Sequence, residues 1–126
     1  MLSLSMGDQK PICKVSPDGT KQWRLDGKLH RVDGPALEYA DGTKYWYLND
    51  KLHRVDGPAI EYANGTKRWY LNGKLHRVDG PAIESPNGDK IWYLNGKRRK
   101  PIEVFKAATH EQRVHMLCFY ASEFMP

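Results

Sequence analysis

Residues 46–70 read WYLNDKLHRVDGPAIEYANGTKRWY, and nearly everything else in the chain is a copy, a fragment or a cap of that stretch. Tryptophan recurs at 23, 46, 69 and 92, a constant spacing of 23 residues. Lys-Leu-His-Arg-Val-Asp-Gly-Pro-Ala recurs unchanged from Lys28, Lys51 and Lys74. Self-similarity at a fixed period of this size marks a repeat architecture, in which each unit buries its apolar surface only against its neighbours.

The punctuation inside a unit is of β type. Asp26-Gly27, Asn72-Gly73 and Asn95-Gly96 have the composition of two-residue hairpin turns. Asn49-Asp50 fills that place in the second copy and is expected to be the poorest turn, because aspartate tolerates a positive φ less well than glycine. A second turn recurs at Asp18-Gly19, Asp41-Gly42, Asn64-Gly65 and Asn87-Gly88. The proline of each Asp-Gly-Pro, at 35, 58 and 81, forbids a ladder hydrogen bond there. The segments between breaks, such as Lys44–Leu48, suit strands and not helices. The expected fold is therefore mainly β: an elongated single-domain stack of β-hairpin repeats, with three full 23-residue units and partial units at the ends.

Alternation assigns the faces. Trp46 and Leu48 share one side, as do Trp69 with Leu71 and Trp92 with Leu94, and this constant side reads as the core. The variable side carries Gln22 and Arg24, Tyr45 and Tyr47, Arg68 and Tyr70, then Ile91 and Tyr93, and reads as the working surface.

Beyond the repeats, residues 1–11 read as a flexible N-terminal arm, and 12–96 as the β-hairpin array. Residues 97–126 read as a basic linker and a small C-terminal α-helical cap. Lys97-Arg98-Arg99-Lys100 is a basic run, and Pro101 suits a first helical turn. Thr109 and Gln112 have the spacing of a capping box. Val114, Leu117, Cys118, Ala121 and Phe124 fall on one helical stripe, which would close the open end of the stack or serve as a dimerising or partner-binding helix.

The wording Trp69-Tyr-Leu-Asn-Gly-Lys-Leu-His-Arg…Asp79-Gly-Pro-Ala82 resembles the MORN-type hairpin repeats, and more closely the uncharacterised arrays encoded by tailed phages and giant viruses. Arg31, Arg54 and Arg77 follow the histidines where MORN units have glycine. The resemblance implies a hairpin stack used for protein contacts, of viral origin.

Chemistry is little indicated. Histidines at 30, 53 and 76 with aspartates at 33, 56 and 79 could suggest general bases or zinc ligands. Three identical copies about 10 Å apart, at two strands per unit, cannot share one metal ion and look like scaffold. No enzymatic activity, cofactor or metal is expected. Cys13 and Cys118 lack Cys-x-x-Cys spacing and read as free thiols of a cytoplasmic protein, in a host cytoplasm if viral. No apolar run is long enough for a membrane span. Arg31, Arg54 and Arg77 would form a row beside Glu38, Glu61 and Glu84, leaving Lys21, Lys44, Lys67 and Lys90 unpaired. The remaining signal is a rigid surface with the tyrosine and arginine typical of interface hot spots: Arg24, Tyr45, Tyr47, Arg68, Tyr70 and Tyr93. The expected function is binding of a host protein, such as a defence factor that the chain inhibits or modulates. The alternative is single-stranded nucleic acid held by aromatic stacking and by Lys/Arg, including the 97–100 patch.

Overall fold

The structure, a computed structural model, describes residues 9–125. Of the expected N-terminal arm, residues 1–8 lie outside the described residues. The first half of the array holds β1 (Ile12–Val15), β2 (Lys21–Leu25), β3 (Lys28–Leu29), β4 (Leu37–Glu38), β5 (Lys44–Tyr45), β6 (Tyr47–Leu48) and β7 (Lys51–Leu52). The second half holds β8 (Ile60–Glu61), β9 (Lys67–Arg68), β10 (Tyr70–Leu71), β11 (Lys74–Leu75), β12 (Ile83–Glu84), β13 (Lys90–Leu94) and β14 (Lys97–Arg99). Helices α1 (Pro101–Ala107) and α2 (His110–Phe119) and a 3-10 turn (Ala121–Phe124) follow. The fold is thus mainly β, a hairpin stack with a helical cap. Ten strands form one antiparallel sheet in the order β1-β2-β4-β5-β8-β9-β12-β13-β14, with β3 on β2.

Each unit is one hairpin with an interruption. In the second unit β7 returns beside β6 and β8 beside β5. Between them the N–H of Trp46 donates to the Ala59 carbonyl (2.7 Å), and the Trp46 carbonyl accepts from the His53 N–H (3.0 Å). Residues 54–58 therefore leave the ladder as an excursion opposite Trp46. The expected continuous strand Lys44–Leu48 is cut in two at the tryptophan. The proline sits at the end of the excursion, where no ladder donor is needed.

Neighbouring units are tied by backbone bonds at equivalent places. The N–H groups of Arg31, Arg54 and Arg77 donate to the carbonyls of Tyr47, Tyr70 and Tyr93 at 3.1, 3.1 and 3.2 Å. The hairpin turns have the positive φ that two-residue loops require, with Asn72 at +50° and Gly73 at +78°. Asp50 takes φ +66°, strained for a residue with a β-carbon. Its carboxylate compensates by accepting from the Leu29 N–H of the preceding unit at 2.7 Å, a bond that glycine could not make.

Register also settles the charges. Lys44 stands opposite Glu38 and Glu61, and Lys67 opposite Glu61 and Glu84. The lysines expected to be unpaired, Lys21 and Lys90 included, alternate with glutamates across the sheet by register, and among the described residues none of them makes an ion pair.

At the C-terminal end two expectations change. Residues 97–99 are no linker: β14 pairs with β13, placing Arg98 opposite Tyr93. The capping box is present, with Thr109 N–H donating to Gln112 Oε1 (2.8 Å) and Gln112 N–H to Thr109 Oγ1 (3.3 Å). Of the expected stripe Phe124 does face the stack, but the other residues packed there lie on a different one. Met116 is wholly buried with Trp92 and Val104, and Tyr120 and Phe124 pack beside them. Val114 and Leu117 are about half exposed, at 46% and 51%, and Cys118 is exposed as a free thiol, like Cys13. Residues 112–124 contain two apolar stripes, and periodicity alone does not choose between them. The indole of Trp92 does, because the residues that cover it are the ones that pack.

Candidate functional site

The two faces of the sheet carry different chemistry, and the constant face is a groove. Leu94 and Trp92 do form a core there with the cap. In the earlier units the tryptophans are half-buried, and their cover is an arginine instead of a hydrophobic layer. The guanidinium carbons of Arg31, Arg54 and Arg77 lie 3.9, 3.8 and 3.9 Å from the ring centres of Trp23, Trp46 and Trp69. The reading of the whole Trp/Leu side as a hydrophobic core is corrected accordingly. The tryptophan reaches its arginine because the excursion folds back over the ring. Arg54 is held there by Asp56 at Nε (3.0 Å), and by the Pro58 carbonyl (3.1 Å) and Glu61 (3.3 Å) at Nη1. A β-carbon on Gly57 would come within 2.9 Å of that guanidinium, so the glycine makes room for it. The Arg31 guanidinium beside Asp33 holds its carboxyl below the usual range, by hydrogen bond first and by charge second.

The histidines serve the stack directly. The backbone N–H groups of Asn49, Asn72 and Asn95 donate to Nδ1 of His30, His53 and His76 in the preceding unit, at 3.1, 3.0 and 2.9 Å. An accepting Nδ1 places the proton of the neutral ring on Nε2. Among the described residues no three His, Cys, Asp or Glu side chains converge as a metal site would require.

Between successive excursions the groove widens into clefts. One of about 450 Å³ lies between the Arg31 excursion and Trp46. The next, of about 570 Å³, lies between the Arg54 excursion and Trp69, with His115 of α2 at its edge. These clefts were not legible in the sequence; the arginine after each histidine was the available sign.

The variable face brings some of the expected residues together. Tyr45 stacks on Tyr47 with ring centres 6.3 Å apart. Tyr39 and Tyr62, which sequence reading missed, meet Tyr45 edge-on at 5.8 and 6.2 Å. Arg68 joins over Tyr62 at 5.6 Å, and its Nε is buried without a partner. Burial pushes the phenols of Tyr45 and Tyr47 up. Ile60, the partner of both Tyr45 and Arg68 in the register, is buried beneath this cluster. Alternation could have found Tyr39, two residues beyond Leu37 on the same face. Tyr70 is half-buried on β10, and Tyr93 half-buried on β13 opposite Arg98; neither makes a ring pair with the cluster. Arg24 stands apart near the N-terminal end, exposed, donating to the Gly27 carbonyl at 2.9 Å. Lys97, Arg98, Arg99 and Lys100 are all exposed.

No helix among the described residues is long and apolar enough to cross a membrane. No protein-family model matches the chain, and neither does any curated protein or solved structure.

Proposed function

We propose that the chain is a non-enzymatic repeat scaffold that binds a partner protein through its variable Tyr/Arg face. The observation that carries this reading is the packed cluster of Tyr39, Tyr45, Tyr47 and Tyr62 with Arg68 beside it. Rings that already hold one another lose little freedom when a partner arrives, which is how preorganised hot spots gain affinity. The partner we infer is a host protein that the chain inhibits or modulates, as the resemblance to viral arrays implies.

Two ring pairs are edge-on, so much of the aromatic face area is spent inside the cluster. A platform for single-stranded nucleic acid would leave those faces open to stack on bases. That favours the protein partner over nucleic acid. The test is retention of proteins from nuclease-treated bacterial lysate by the wild type and by Tyr45→Ala/Arg68→Ala, with circular dichroism to confirm the stack. Loss of a specific retained protein in the variant is expected. Tight binding of labelled single-stranded oligonucleotides that persists from about 50 to 200 mM salt, where phosphate contacts lose most affinity, would overturn it if it needs Tyr47 and Tyr70.

A further inference from the structure

Three clefts of the groove lie between one excursion and the next tryptophan, and among the described residues two of these three are open. In the first two, Val32 and Val55 are 81% and 84% exposed, and the side chains of Asp33 and Asp56 are each 86% exposed. At the third, between Arg77 and Trp92, these values fall to 36% for Val78 and 40% for Asp79, and Trp92 is 2% exposed. The chain's own C-terminal segment fills that place.

Tyr120 is the plug. A β-carbon on Gly80 would lie within 2.9 Å of the Tyr120 ring, whereas the three atoms nearest the same position on Gly57 all belong to the arginine of its own excursion. The Tyr120 hydroxyl donates to Glu84 Oε1 and accepts from Arg77 Nη1 at 3.2 Å. Three residues on, Glu123 Oε1 accepts from the Trp92 indole N–H at 3.1 Å. Phe124 then meets the same indole edge-on, with ring centres 5.8 Å apart.

A neutral hydroxyl is the group that suits an arginine–glutamate pair, because it accepts from one member and donates to the other. A carboxylate would face the glutamate, and an ammonium would face the arginine. Burial, with the Glu84 carboxylate, pushes the Tyr120 phenol up to about 12, so it stays a donor.

The two open clefts repeat the receiving set. Arg31 pairs with Glu38 at 3.9 Å beside Trp46, and Arg54 with Glu61 at 3.3 Å beside Trp69. Neither Trp46 nor Trp69 has an acceptor for its indole N–H among the described residues, whereas Trp92 has Glu123. The Trp69 cleft is continuous with the cap interface, since Arg77, Asp79 and His115 line it. The buried Nε2 of His115 has no partner.

We propose that the clefts at Trp46 and Trp69 are docking sites for a short segment of a partner protein with the pattern tyrosine, two residues, acidic residue, aromatic residue. The tyrosine hydroxyl would bridge arginine and glutamate, and the carboxylate would take the indole N–H. This surface lies on the face opposite the tyrosine cluster and does not rest on the function proposed for that cluster.

The experiment titrates the full chain, labelled with nitrogen-15, with a blocked peptide of residues 119–125 (FYASEFM), following the four indole N–H resonances. Saturable movement of the Trp46 and Trp69 indoles is expected. A peptide with phenylalanine for the tyrosine should bind roughly tenfold more weakly or worse, the weight of a hydrogen bond to a charged group. In the full chain, Glu61→Gln should weaken the response at Trp69 and spare Trp46, and Tyr45→Ala/Arg68→Ala should change neither. Movement confined to Trp92, which would mean displacement of the chain's own cap, overturns the proposal, as does no movement at saturating peptide. A dimer that exchanges C-terminal segments, detected by sedimentation and lost in Tyr120→Ala, also overturns it by assigning the clefts to a second copy.

Discussion

The residue on which each unit depends is the arginine after the histidine. Arg54 has 22% of its side chain exposed, lies over the Trp46 ring, and uses Nε and Nη1 on Asp56, Pro58 and Glu61. A planar guanidinium can stack and bind in a fork at once, whereas a lysine ammonium is a point charge that can do neither. Arg54→Lys should therefore lower stability by about 2–3 kcal/mol, somewhat less than breaking a fully buried pair, because water still reaches the site. Arg24→Lys should change stability by less than about 0.5 kcal/mol, as at exposed positions generally. Urea unfolding of both variants tests the contrast, and equal losses would show that the stack on tryptophan contributes nothing. The sequence did show that the arginines form a row facing the glutamates. It did not show the stacking, because Trp46 and Arg54 meet only through a turn and an excursion whose path depends on the side chains that fill it.

At the scale of the element, the hairpin is joined to the next by its histidine, and at His76 that join is sensitive to acid. Protonation puts a hydrogen on Nδ1, which then cannot accept from the asparagine N–H of the following unit. Burial holds His76 below its ordinary value of 6.5, so the neutral ring is the folded form. A depressed histidine contributes stability that is whole above pH 6.5 and is lost as pH falls through the lower folded value. Asp18 and Asp41 are held below the usual carboxylate value of 3.8 by the backbone N–H groups of Thr20 and Thr43, and Asp33 by the Arg31 guanidinium. Their contribution is lost only at still lower pH. The melting temperature should thus decline between pH 7 and 4.5, and His76→Gln, whose amide oxygen accepts without titrating, should flatten the decline. An unchanged slope in that variant would remove His76 from the account. The turns of these hairpins were legible because Asn-Gly has few other uses between alternating strands. The breaks at Trp46 and Trp69 were not, since Trp46 keeps the alternation of an uninterrupted strand while its partner strand bulges. The helical stripe was misread for a related reason: two stripes satisfied the same period, and the tertiary contact with Trp92 selected the second.

Across the whole molecule the units are interchangeable, and the period in the sequence said so before any geometry was known. The Asn-to-His bonds span only 2.9–3.1 Å and the Trp–Arg separations only 3.8–3.9 Å from unit to unit. What the period could not give is how the array ends. Ile12 and Val15 on edge strand β1 remain 77% and 59% exposed, whereas the other end is closed by Tyr120 and Phe124 on Trp92. In a linear array, stability is close to a sum of unit terms and identical interface terms. Inserting a second copy of residues 46–68 after Arg68 adds one unit and one interface, and leaves both ends as they are. We expect a higher urea midpoint, and a steeper denaturant dependence by about a fifth, in proportion to the added chain. Far-ultraviolet dichroism and tryptophan fluorescence should report one shared transition if the stack unfolds as a whole. A lower midpoint, or a separate transition for the cap, would mean that the second unit, with its strained Asp50 turn, fits only between the neighbours it already has.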